Sequence, residues 1–200
     1  MSMSEQDRVK WNQRYAEDSY HKNNPVTLVE TWLPRLPVGR ALDVACGAGR
    51  NSILLAEAGY RVDAIDISLE GLNQARQKAK IQRLSINWIE HDFDQPFQFE
   101  TDYDLIIVMW YVNLALITKL CDCLAPGGYL ICEEHLITDL DVIGPTNLNY
   151  RVAPGDLRKA VSGVDVLLYE ESVEINSEDI QIASARVVVK NTEIEASIST

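Results

Sequence analysis

A chain of 200 residues, 46% of them hydrophobic, has the length and apolar content for one domain around one core. Its 18 basic side chains against 30 acidic ones leave a net charge of −12 with no basic cluster, which excludes binding driven by a nucleic-acid phosphate backbone. No apolar run approaches the roughly 18 residues of a membrane helix, MSMSEQDRVK lacks a signal-peptide core, and Cys46, Cys121, Cys123 and Cys132 show neither a CxxC pair nor a Cys/His metal spacing. A cytoplasmic protein with reduced thiols, no metal and no membrane partner is expected.

In chain order, Glu5 to Glu17 reads as a helix, with Trp11 and Tyr15 on one face at i, i+4. The polar loop Asp18 to Asn24, which includes a surface His21, leads to a second helix carrying Val26, Leu28, Val29, Trp32 and Leu33; Pro34 and Pro37 should stop it. Ala41, Leu42 and Val44 form a short buried strand, and Ala45-Cys46-Gly47-Ala48-Gly49 turns the backbone sharply. The helix that follows has Ile53, Leu54 and Ala56 on overlapping rows and Gly59 at its left-handed end.

Tyr60 to Ile67 is a second strand ending in Asp66, and Ser68 caps a helix with Leu69, Leu72, Ala75 and Ala79. Ser85 to His91 is a third strand, ending at Asp92. Leu105 to Met109 is uninterrupted and apolar, as in a parallel strand covered on both faces. A helix over Asn113 to Leu124 puts Leu116, Leu120 and Leu124 in register, Pro126-Gly127-Gly128 turns, and Tyr129 to Cys132 is a fifth strand. Leu136 to Ala153 has no period, and a short helix after Pro154 ends at Gly163. Val164 to Ile175 and Ile180 to Lys190, separated only by the turn at Asn176 to Asp179, must pair antiparallel. The fold class is α/β, a three-layer αβα sandwich whose seven-stranded, mostly parallel sheet closes with a C-terminal antiparallel hairpin. We expect one domain over 1–190, with 1–24 as an N-terminal lid, and a disordered tail at 191–200.

A strand, a glycine turn and a helix N-terminus present backbone N–H groups and a positive dipole end to a ligand. Asp43, Gly47, Gly49, Asp66 and Asp92 all fall in or just after the first three strands, so one end of the sheet gathers the turn and two strand-end carboxylates. That outlines a nucleoside site: one carboxylate can accept a ribose diol, another an exocyclic amine.

These residues resemble the class I S-adenosylmethionine-dependent methyltransferases. Asp43-Val44-Ala45-Cys46-Gly47-Ala48-Gly49 is similar to the family's first motif, Asp66 to its ribose acid, Asp92-Phe93 to its adenine motif, Asp102-Tyr103-Asp104-Leu105 to its fourth-strand entry and Leu124-Ala125-Pro126-Gly127-Gly128 to its fifth-strand turn. Trp11-Asn12-x-Arg14-Tyr15, Arg50-Asn51 and Tyr150-Arg151-Val152-Ala153-Pro154-Gly155-x-Leu157 resemble a narrower group, the small tellurite-resistance-B-like and thiopurine-methyltransferase-like enzymes. The resemblance implies a Rossmann-like fold and S-adenosyl-L-methionine as cofactor. It places Asp43 near the methionine end, Gly47 and Gly49 against the cofactor, Asp66 on the ribose, Asp92 and Phe93 around adenine, and Met109 and Trp110 beside the amino-acid part. Ala45, Asn51 and Ile67 complete the lining, with Trp11 and Tyr15 as lid.

Alignment of a nucleophile behind an activated methyl needs no obligatory base. Tyr111 and His135, with His91, are the candidates if one is used, and Arg151 is a candidate holder of an anionic substrate. Ser52 stands where a dinucleotide fingerprint needs its third small residue, which weakens a nicotinamide-dependent oxidoreductase. A non-catalytic protein that binds the cofactor is the other alternative. The acceptor is expected to be a small molecule, a soft sulfur, selenium or tellurium nucleophile, and the chain a monomer or a homodimer.

Overall fold

The computed structural model describes residues 3–17, 24–175 and 181–192. The predicted loop at 18–23 with His21, the turn at 176–179 and the tail from 193 lie outside the described residues. Seven strands form the mostly parallel sheet with a C-terminal antiparallel hairpin that the sequence predicts. By backbone packing the chain divides into two units, 1–100 and 101–200.

The first unit runs α1 (Met3–Ala16), α2 (Thr27–Trp32), β1 (Arg40–Val44), α3 (Arg50–Glu57), β2 (Arg61–Asp66), α4 (Leu69–Ile81) and β3 (Ile86–Glu90). β2 pairs parallel with β1 on one side, Asp63 opposite Leu42, and with β3 on the other, Ala64 opposite Trp88. Leu42, Val44, Leu55, Ile65, Leu72 and Ala75 are buried, which removes apolar surface from water at about 25 cal/mol per Å². Asp63, inside this strand pair, is held by the Arg40 guanidinium at 2.7 Å and the Asn87 amide at 2.8 Å. Such partners make a buried carboxylate tolerable.

The second helix ends where its prolines predict: α2 stops at Trp32, and Pro34 sits in the 3-10 turn Leu33–Arg35 that follows, where its missing N–H costs nothing. One expectation is refined in this unit. On α3 the buried residues are Asn51, Ser52, Ile53 and Leu55, and Leu54 is only half-buried. The helix turns its polar Asn51 and Ser52 inward because both find partners there.

The second unit runs β4 (Tyr103–Met109), α5 (Leu114–Cys121), β5 (Leu124–His135), α6 (Asp156–Ala160), β6 (Asp165–Ile175) and β7 (Gln181–Lys190). Its strand order is β4-β5-β7-β6. β5 is parallel to β4, Ile131 opposite Ile107, and antiparallel to β7, Cys132 opposite Val187; β6 is antiparallel to β7. Leu105, Ile106, Ile107 and Val108 are fully buried. Leu124 begins β5 rather than ending α5, and Pro126-Gly127-Gly128 lies within that strand. The ladder shifts register there, from Tyr103 opposite Leu124 to Leu105 opposite Tyr129, so the triplet is a bulge and not a break. Among the described residues no helix is long and apolar enough to cross a membrane, and no cluster of side chains could hold a metal ion.

Candidate functional site

The turn between β1 and α3 is left-handed at Ala45 (φ 56°), Gly47 (57°) and Gly49 (75°). It is anchored from β2: the Cys46 N–H donates to the Ile65 carbonyl at 3.0 Å, and the Gly47 N–H to Asp66 Oδ2 at 2.7 Å. Asp66 Oδ1 accepts the Ser68 N–H at 2.8 Å, and the Asp66 carbonyl accepts the His91 N–H at 3.0 Å. One residue at the end of β2 therefore ties together the glycine turn, the start of α4 and the segment that carries Asp92. Asp92 closes its own turn, taking the Asp94 N–H on Oδ1 at 3.0 Å and the Gln95 N–H on its carbonyl at 2.8 Å. A cleft of about 290 Å³ opens here, lined by Glu5 and Arg8 of α1 and by Ile67, Glu90, His91, Asp92 and Gln95. Phe93 packs beside it, 5.6 Å from the His91 ring and 6.0 Å from Phe99.

Asp43 is not among the residues that line that cleft. It is 1% exposed and accepts the Ser52 hydroxyl at 2.5 Å, so it acts on the turn from beneath. Asn51 also points inward, accepting the Val26 N–H at 2.9 Å and fixing the entry to α2. Cys46 is buried, and burial followed by the charge of Asp43 pushes its thiol well up, which removes it as a nucleophile.

Burial raises Asp43 from 3.8 to about 7 and Asp66 to about 6, opposed by the hydrogen bonds each accepts. Between the ordinary value and these raised ones the folded chain keeps protons that the unfolded chain has lost. Stability therefore falls as pH rises across that window, by on the order of 3–4 kcal/mol for each group. Thermal melting should be higher at pH 5 than at pH 7.5, and Asp43→Asn should flatten the dependence. An unchanged slope in that variant counts against the burial argument.

α1 lies over the turn. Tyr15 packs between Gly47 and Gly71, and a Cβ at Gly47 would collide with its hydroxyl. Trp11 stacks on Tyr15 at 6.0 Å between ring centres. Asn12, which the sequence reading names only as part of the Trp11 to Tyr15 motif, and Gln74, which it does not name, hold the helix there: Asn12 Oδ1 accepts from the Ser68 hydroxyl at 2.8 Å and the Glu70 N–H at 3.1 Å, and the Gln74 amide donates to the Tyr15 carbonyl. Nothing in a local pattern marks them, since both partners lie more than fifty residues away.

In the second unit Met109 ends β4 and is buried. Trp110 follows with φ 63°, a conformation that a non-glycine residue keeps only where the surroundings demand it. Its N–H donates to the Glu133 carbonyl at 2.8 Å, and its ring meets His135 at 4.4 Å. The Tyr111 N–H donates to Glu134 Oε1 at 3.1 Å. Glu134, missed in the sequence, is fully buried, its Oε2 has no partner among the described residues, and burial pushes its carboxyl well above the usual range. Arg151 commits its guanidinium to backbone carbonyls. Nε donates to the Pro145 carbonyl at 2.8 Å, Nη1 to Leu136 at 3.0 Å and Nη2 to Ile143 at 3.5 Å.

Residues 41–128 match the sequence model of a methyltransferase domain. TehB of Haemophilus influenzae is 27% identical over 144 residues, which is 67% of this chain and 49% of that protein. Nodulation protein S of Rhizobium tropici is 31% identical over 103 residues, 48% of this chain and 42% of that protein. The chain spans less than half the length of these curated relatives. Among solved structures, the N-methyltransferase NodS of Bradyrhizobium japonicum in complex with S-adenosylhomocysteine superposes with a TM-score of 0.71 at 19% identity, covering 93% of this chain and 98% of NodS. The crystal structure of TehB from Haemophilus influenzae gives 0.70 at 21% identity, covering 92% and 66%. At these identities the structures share the fold.

Proposed function

We propose that this chain is a class I methyltransferase, which binds S-adenosylmethionine and transfers the methyl group to a small-molecule acceptor, a soft sulfur-, selenium- or tellurium-centred nucleophile; the match of residues 41–128 to a methyltransferase domain supports the reading. The observation that carries the reading is the bond from the Gly47 N–H to Asp66, with the Asp92 segment tied to the same residue. An ionised carboxylate offers about four acceptor positions. The Gly47 and Ser68 N–H groups take two of those on Asp66, with Ile67 close enough to contribute a third backbone interaction, and what remains can serve the hydroxyls of a ribose. The cleft beside it has the character an adenine needs: Ile67 supplies apolar contact and Asp92 an acceptor for the exocyclic amine.

Trp11 and Tyr15 close over the nucleoside. By the same reading Met109 and Trp110 border its amino-acid end, and Tyr111 and His135 serve the acceptor. Asp66, Asp92, Gly47 and Gly49 would hold S-adenosylmethionine, which would supply a methyl group already activated by its sulfonium sulfur. The residues' task is then alignment and exclusion of water. We assign residues 1–190 to one catalytic domain of a cytoplasmic enzyme without metal.

Calorimetric titration with S-adenosylhomocysteine and with NADH tests this. Saturable binding of the first alone is expected, and binding of NADH alone would replace the reading with an oxidoreductase. Binding without methyl transfer to any of a panel of thiols, selenols and oxyanions would leave a cofactor-binding protein that catalyses nothing.

A further inference from the structure

We propose that Arg8, on α1, is a cofactor-binding residue: its guanidinium, oriented by Glu5, stacks on the face of the base and closes the adenine end of the cleft. This rests on the methyltransferase reading above and assigns the group that covers the base.

Glu5, Arg8, Asn12 and Tyr15 follow one another at spacings of three, four and three, so they share one face of α1. That face runs along the site. Tyr15 packs against Gly47 of the turn, and Asn12 accepts from the Ser68 hydroxyl and the Glu70 N–H at the start of α4. About one and two turns earlier on the same face, Arg8 and Glu5 line the cleft together with Ile67 and Asp92. The footing at Asn12 and Tyr15 therefore fixes where Arg8 stands. Arg8 Nη2 forms an ion pair with Glu5 Oε2, and because guanidinium donors lie in the plane of the group, such a bond leaves its flat faces open.

A purine in this cleft needs cover for both of its faces. Ile67 is the one aliphatic side chain among the lining residues. The His91 ring is already packed, 4.5 Å from Phe97 and 5.6 Å from Phe93, with Nε2 3.3 Å from the Gln95 carbonyl. Glu90 and Asp92 are carboxylates, which the negative face of an aromatic ring repels, whereas a guanidinium is drawn to that face. Arg8 is thus the lining residue whose charge and planar shape both suit the base. Its side chain is 45% exposed, so it has surface left for a base to cover.

The test uses S-adenosylhomocysteine and S-ribosylhomocysteine, the same molecule without the base. Each is titrated into the full chain while the side-chain NMR signals of Arg8, assigned with Arg8→Lys, are followed to saturation. The first ligand should move them by ring current and the second should not. In calorimetry, Arg8→Ala should weaken S-adenosylhomocysteine about tenfold, and Arg8→Lys by less, since an ammonium keeps the charge but not the plane. Lys10→Ala removes the same charge from the other side of α1 and should change the affinity by no more than about twofold. Arg8 signals that stay in place with S-adenosylhomocysteine or move equally with both ligands overturn the proposal. So does an unchanged affinity in Arg8→Ala, or an equal loss in Lys10→Ala. Failure of S-adenosylhomocysteine to bind the unaltered chain overturns the methyltransferase reading instead, so the two failures are told apart.

Discussion

Gly49→Ala is expected to lower the melting temperature by on the order of 10 °C and to weaken cofactor binding with it. The residue caps α3 at φ 75°, and a Cβ there would lie 2.7 Å from both the Ala75 Cβ and Trp88 Cη2. The backbone conformation costs an L-residue about 1–2 kcal/mol. The overpacking adds about 1–3 kcal/mol, because a Cβ on α4 cannot swing away as the end of a long side chain can. For a chain of this size each kcal/mol shifts the midpoint by about 2–4 °C. Gly127→Ala is the control: φ is similar at 79°, but nothing lies within 4 Å of its Cβ. Differential scanning calorimetry on the two should show the alanine at 49 costing clearly more. Equal shifts would mean that close packing of α3 on α4 and β3 does not set the turn's geometry.

That contrast also shows what could be read from the chain alone. The β1 turn was legible because its constraints are local: small residues between a short apolar strand and a helix, Gly59 at φ 94° past the end of α3, and Ser68 accepting the Gly71 N–H as cap of α4. The antiparallel hairpin was legible because a four-residue gap admits no crossover. Leu124 was misread because it continues the i, i+4 row of Leu116 and Leu120, and only pairing with Tyr103 makes it a strand residue. The surroundings of Arg151 were not legible, because sequence shows a charge but not the three carbonyls its guanidinium meets. Glu134 was invisible for a related reason: the fifth strand was read only to Cys132, and nothing in the sequence marks the carboxyl beyond it as one that the longer strand buries.

Asp66 carries the largest expected effect on binding. Its two oxygens hold the Gly47 and Ser68 N–H groups, and the proposed diol needs the lone pairs that remain. In Asp66→Asn one oxygen becomes an NH₂, which must face either a backbone N–H or a ribose hydroxyl that no longer finds an acceptor. A buried donor left unpaired costs about 1–3 kcal/mol, and a hydrogen bond to a charged group is worth about 1.5–3 kcal/mol. Losing one of each weakens S-adenosylhomocysteine by roughly 100-fold or more, since 1.4 kcal/mol is tenfold. The variant should nevertheless fold, because the Cys46 N–H still bonds the Ile65 carbonyl and the His91 N–H still bonds the carbonyl of residue 66. The decisive comparison is of two losses measured on the same protein. A drop in affinity that far exceeds the drop in unfolding free energy is what a ligand-facing carboxylate gives. If the two fall together, Asp66 is only a brace for the glycine turn, and the nucleoside must be held elsewhere.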